Sequence, residues 1–142
     1  MALVQISVVL PNKPGRLSRV SELLGREGVN IRAITVVESS DFSSVRMMVD
    51  DPKKGANVLK AAGYELEENE VVAVEIPDQP GGLNAILKPL REAEVNVQYL
   101  YPYIGRLGKD PIMVLGVDNV LKAKQVLEKN WIRLLGEEIY SL

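Results

Sequence analysis

The chain has 142 residues and is 46% apolar, enough material for one ordinary domain or two very small ones with a real core. Its formal net charge of -2 gives no basic field to attract phosphate backbones, which argues against nucleic-acid and polybasic membrane binding. With no cysteine and no histidine, disulfides, thiol nucleophiles, imidazole bases and the usual zinc ligand sets are all excluded.

In chain order, Val4, Ile6, Val8 and Leu10 alternate with Gln5 and Ser7, the period of a half-buried strand. This opening lacks a basic leader region and is cut short by Pro11, so it reads as a first strand and not as a signal peptide. The stretch PNKPGRL follows at residues 11 to 17. From Pro14 the apolar positions become Leu17, Val20 and Leu24, one face of a helix, and Gly28 stands where a left-handed terminus is wanted. NIRAITVVE and SVRMMVD, joined by SSDFS, predict a hairpin. A helix over residues 52–62 and a short strand over 64–68 complete this half.

The second half repeats the order. Strands are predicted over 70–76, 95–104, 111–117 and 132–139, with helices over 81–93 and 119–130. Pro77 of PDQPGGL stands 66 residues after Pro11, and the register holds from Pro11–Ile31 to Pro77–Val97. Val49-Asp50-Asp51 then matches Val117-Asp118-Asn119 at an offset of 68, so two residues enter the second copy, most simply in the loop containing GRLGKD. The expected fold is α+β: two ferredoxin-like βαββαβ modules, each an antiparallel sheet with helices on one face, with boundaries 1–69 and 70–142. Trp131 reads as core packing, and YELEENE as a solvated strand end between the halves. In YLYPYIG, Tyr99, Tyr101 and Tyr103 share one strand face and Leu100, Pro102 and Ile104 the other, so a second copy of the protein is expected to cover the face without helices.

The two proline-bracketed turns each lead a strand into a helix whose first amides lack internal partners and carry the positive dipole end. Gly15 and Gly81 leave the backbone open to a ligand, and Pro14 and Pro80 set the entry geometry. A carboxylate fits such a cradle. The side-chain oxygens of Asn12 and Asp78 serve either as helix caps or as acceptors for an ammonium group. Asn30 and Asn96, in VNI and VNV, either turn the chain or offer an amide donor and acceptor. Glu38 and Asp41 have no nucleophile or base beside them, so no catalytic constellation is present.

With PNKPGRL and GVNI in one half and PDQPGGL and EVNV in the other, the chain resembles the ACT domain family, small βαββαβ modules that bind amino acids and regulate metabolism. The resemblance covers essentially the whole chain as a tandem pair. It implies modules side by side in a continuous sheet, with a ligand at the interface between modules. The implied binding positions are Asn12, Lys13, Pro14, Gly15, Leu17, Asn30 and Ile31, then Asp78, Gln79, Pro80, Gly81, Gly82, Leu83, Asn96 and Val97. Lys13 against Gln79 and Arg16 against Gly82 make the loops unequal, and the glycine pair favours the second as the carboxylate cradle. No cofactor or metal is implied, and 142 residues leave no room for a fused catalytic domain. The expectation is a cytoplasmic, non-enzymatic amino-acid sensor. It would act as a homodimer on a partner enzyme, with no membrane or nucleic-acid partner; the alternative is a scaffold that recruits an enzyme without a ligand.

Overall fold

Alternation and helical spacing are realised as seven strands and four helices in the computed structural model, which describes residues 2–142. The residues group into two compact units, Val4–Asn69 and Glu70–Leu142, with Ala2 and Leu3 joining the latter.

In the first unit β1 (Leu3–Pro11) leads through the PNKPG turn into α1 (Arg16–Arg26). β2 (Ile31–Glu38) and β3 (Phe42–Val49) form the predicted hairpin, and α2 (Pro52–Ala61) follows. β3 lies between β2 and β1 and is antiparallel to both, so β2 runs parallel to β1. Ile6, Val8 and Leu10 from β1 and Val45, Met47 and Val49 from β3 pack with Val20, Leu24, Ala56 and Leu59 of the helices. One face of each element is thus dry, as the sequence periods require. On the other face of β1, Gln5 is fully buried and donates to Ser7 Oγ at 3.3 Å. Ser7 Oγ in turn donates to Asn69 Oδ1 at 3.0 Å. Both polar groups are therefore satisfied where an orphan would be costly.

The second unit repeats the plan with α3 (Gly82–Glu92), β5 (Val97–Pro102), β6 (Ile112–Val117) and α4 (Val120–Lys129). Its first strand belongs to β4 (Leu66–Glu75), one continuous strand where two had been expected. β6 lies between β4 and β5, antiparallel to both. Val72, Val74, Leu115, Ile86, Leu90 and Leu127 build its core.

Three sequence expectations are corrected here. The closing strand over 132–139 shrinks to β7 (Leu134–Leu135), followed by a 3-10 turn at Glu137–Ser141. The Glu138 carboxylate accepts from the Gly136 amide at 3.0 Å and folds the chain off the sheet edge. Trp131 is 96% exposed and is no part of a core. Tyr101 and Tyr103 are buried by the chain itself, so the tyrosine strand does not require a second copy as its cover. The Tyr103 hydroxyl donates to the Ile139 carbonyl at 2.6 Å, tying the closing turn to β5's end, and Tyr99 lies where a side chain on Gly116 would strike its ring.

Two outcomes follow from the closing turn. Tyr103→Phe should lower unfolding free energy by about 1 kcal/mol in urea titrations, because it removes a buried hydrogen bond while the Ile139 carbonyl keeps the Leu142 amide at 3.3 Å. The backbone amide of Gly136 holds the Glu138 carboxyl below the usual carboxylate range. A carboxyl whose folded pKa is depressed stabilises above its unfolded value near 4.5 and loses that contribution as pH falls through the folded value. Glu138→Gln should therefore flatten the acid limb of the stability curve below about pH 4.5 in thermal melts. The change should be small, since the group is solvated.

Candidate functional site

The same loop is built twice at backbone level. Gly15 has φ 83 and ψ -8, and Gly81 has φ 83 and ψ -6, both left-handed and both immediately ahead of a helix. Lys13 N donates to the Pro11 carbonyl at 2.8 Å, and Gln79 N to the Pro77 carbonyl at 2.9 Å. Glycine suits the turn itself, since most L side chains other than Asn and Asp are strained at that φ. A Cβ on either glycine would meet nothing within 4 Å, so the space above each loop is open.

No side chain caps α1 or α3. α2 and α4 are different: Asp51 accepts from Lys54 N at 3.2 Å, and Asn119 accepts from Lys122 N at 3.0 Å. The chain therefore caps its second and fourth helices with matched Asx residues and leaves the first and third without a side-chain cap. Asn12 is turned elsewhere. Its Nδ2 donates to Glu38 Oε2 at 3.2 Å and to the Ser39 carbonyl at 3.3 Å, fastening the loop to the β2–β3 hairpin. Asp78 is exposed at the matched position. Two uncapped helix heads with positive dipole ends, each under an open left-handed glycine, can receive carboxylates.

Smallness at residue 82 has a packing reason. A Cβ there would lie 1.9 Å from the Pro77 carbonyl oxygen. The second loop is accordingly tighter, with Gly82 N on the Gln79 carbonyl at 2.9 Å against 3.4 Å for Arg16 N on the Lys13 carbonyl. Lys13, Pro14, Gln79 and Pro80 are exposed, and Leu17 and Leu83 are partly so.

Asn30 and Asn96 share a second geometry. Asn30 N donates to Asp50 Oδ1 at 2.9 Å and Asp50 N to the Asn30 carbonyl at 3.0 Å. Asn96 and Asp118 repeat the pair at 3.0 and 3.1 Å. These reciprocal bonds fix the backbone and leave both Asn side chains exposed. Asn96 and Val97 line a cleft of about 430 Å³ with Leu87, Arg91, Glu94 and Val95. In each unit these residues do not meet the proline-glycine loop of the same unit. Because β2 is parallel to β1, Asn30 and Ile31 stand at the start of β2 while Asn12 and Gly15 lie beside its end, about 3.3 Å per residue away over eight residues. Sequence spacing could not reveal this; strand direction does. Among the described residues no group of three or more Asp, Glu, His or Cys is placed to hold a metal, and no helix is long and apolar enough to cross a membrane.

Two βαββα units, each with a proline-glycine turn ahead of its first helix, define a tandem small-domain protein. The chain belongs to the ACT domain pair family, whose model matches residues 1–141. It is similar to the crystal structure of protein BT0572 from Bacteroides thetaiotaomicron, at 31% identity and a TM-score of 0.91, over 100% of this chain and 98% of that one. It shares its fold with the regulatory subunit of aspartate kinase from Thermus thermophilus, at 14% identity and a TM-score of 0.66, over 92% and 91% of the two chains. The regulatory subunit of aspartate kinase from Thermus flavus is similar at 13% identity and a TM-score of 0.61, over 92% and 94%. No curated protein matches the chain.

The capping asymmetry is testable by denaturation. Asp51→Ala and Asn119→Ala should each cost about 1 kcal/mol, and Asp78→Ala should stay within about 0.5 kcal/mol of the parent, because it caps nothing.

Proposed function

We propose that this chain is a cytoplasmic, non-catalytic regulator that binds a free amino acid at its proline-glycine loops and passes the response to a partner enzyme. The observation that carries this reading is the contrast between α1 and α3, without a side-chain cap, and Asx-capped α2 and α4. The ligand carboxylate takes the first-turn amides, and the ammonium meets Asp78 in one loop and the Glu38–Asn12 pair in the other. Asn30, Ile31, Asn96 and Val97 complete the recognition set from a module other than the one whose loop holds the carboxylate.

A homodimer supplies such a module. β2 is a sheet edge of eight residues, with Ile34, Val36 and Val37 partly exposed, and an unpaired edge of this kind recruits a strand. Antiparallel pairing of two copies of β2 would set the start of one strand beside the end of the other. Ligand binding then tightens the module interface and shifts the population that the enzyme recognises. The likeness to regulatory subunits of aspartate kinase supports an enzyme as partner.

Calorimetry across the free amino acids should give saturable binding of at least one in the millimolar range or tighter. Binding of none would leave the chain as a ligand-free scaffold. Gly15→Asn and Gly81→Asn are the informative variants, since Asn tolerates the left-handed turn and its Cβ meets open space. Each should weaken binding about tenfold or more with little change in melting temperature. An equal loss of folding and binding would return the loops to a structural role.

A further inference from the structure

Basic residues concentrate on the helices. α1 and α2 carry Arg16, Arg19, Arg26, Lys53, Lys54 and Lys60, all exposed, against the single acid Glu22. α3 and α4 repeat the bias with Lys88, Arg91, Lys122, Lys124 and Lys129 against Glu92 and Glu128. The whole chain is nonetheless negative, at -2, so its strands and loops hold the compensating carboxylates. Local helix stability does not account for this. None of the four helices has an acid in its first turn, where the dipole favours one, and α2 opens with Lys53 and Lys54 instead.

A groove of about 720 Å³ lies between α1 and α2. Leu23, Val58, Ala61 and Ala62 give it an apolar lining, and Arg26, Lys53 and Lys54 stand around them. Two carboxylates are also present, of which Asp51 is engaged as the α2 cap and Glu27 closes the C-terminal end of α1. Arg26 shares Glu22 with Arg19, at 3.6 and 2.6 Å, while among the described residues Lys53 and Lys54 have no ion pair. In the second copy Lys129 and Asn130 stand where the first has Ala61 and Ala62, 68 positions earlier, so the short apolar side chains belong to the first copy alone.

We propose that the α1–α2 groove is a docking surface for an acidic amphipathic helix of a partner protein. Apolar side chains of such a helix, three and four residues apart, enter between Leu23, Val58, Ala61 and Ala62, and its carboxylates meet Arg26, Lys53 and Lys54. The apolar lining selects a helix over a nucleic acid, whose phosphates would use the charges and gain nothing from leucine and valine. Exposed charges act here through their summed field, which steers an acidic partner, more than through any single pair. No residue of the groove belongs to the proline-glycine loops, so failure of this inference leaves amino-acid binding untouched.

The full chain should be titrated into a fluorescein-labelled peptide of about four helical turns, with leucine at every third or fourth position and glutamate and alanine elsewhere, and anisotropy followed. Binding should saturate, and should weaken about tenfold as salt rises from about 0.05 to about 0.5 M. Versions with lysine for glutamate, or alanine for leucine, should bind at least about tenfold more weakly. Lys53→Glu combined with Lys54→Glu should weaken the acidic peptide about tenfold with no loss of melting temperature, since acids suit a first helical turn. Lys122→Glu, the same change at the matched position of α4, should leave binding unchanged. Ala61→Lys should weaken it by filling the groove although it adds positive charge; tighter or unchanged binding there would mean that charge alone attracts the peptide, and overturns the groove. Failure of the acidic peptide to bind, or equal binding of its lysine or leucine-free version, overturns the inference outright. So does tight binding of a DNA duplex that is lost on Lys53→Glu with Lys54→Glu, which would assign the basic layer to nucleic acid. Self-association in sedimentation that the same double change abolishes would assign it to a second copy, with the same consequence.

Discussion

A helix head has amides that nothing inside the helix can receive, and this chain answers that constraint in two ways. Where the second helix of each unit follows a strand, Asp51 or Asn119 turns its side chain back and accepts. Where the first helix follows a strand, a left-handed glycine takes the capping position and offers no acceptor. The difference recurs in both copies, so it is a property of the module and not an accident of one turn. The proposed carboxylate binding rests on it, together with the open space above Gly15 and Gly81.

Topology then divides the recognition residues. A crossover from β1 through α1 must return the chain to where β1 began before β2 can run parallel to it. The loop at the end of β1 and the Asn at the start of β2 are therefore held at opposite ends of one unit, each pinned by its own hydrogen bonds. Asn12 is fastened to the hairpin tip, and Asn30 is locked to Asp50. A single module therefore holds the two groups of proposed recognition residues at opposite ends.

Duplication preserved the backbone and let the side chains drift. Gly28 and Gly63 occupy left-handed helix ends in the first copy, and Glu94 and Trp131 adopt the same conformation in the second. Gly82 permits a close approach to the Pro77 carbonyl that Arg16 forbids in the first loop. The turns are alike in dihedral angle and unlike in what surrounds them, which is how one scaffold comes to offer two different surfaces.

The repeat, the order of strands and helices and the loops themselves were legible in the sequence, because all are written in local terms: period two, period three to four, and Pro-x-x-Pro-Gly before a helix. Gly136 and the self-folding Glu138 turned the expected final strand into a 3-10 turn, a competition between side chain and sheet edge that apolar periodicity does not register. Trp131 was misplaced because hydrophobicity predicts burial only on average, and its exposure depends on where α4 stops. Whether Asn12 caps its helix was open, since one amide serves either role equally well; the hairpin tip, 26 residues away in the chain, decided it. Local steric and solvation preferences specified the units. Only the packed sheet, which sets strand direction and brings distant residues to one end, decided which candidate residues can act together and which cannot.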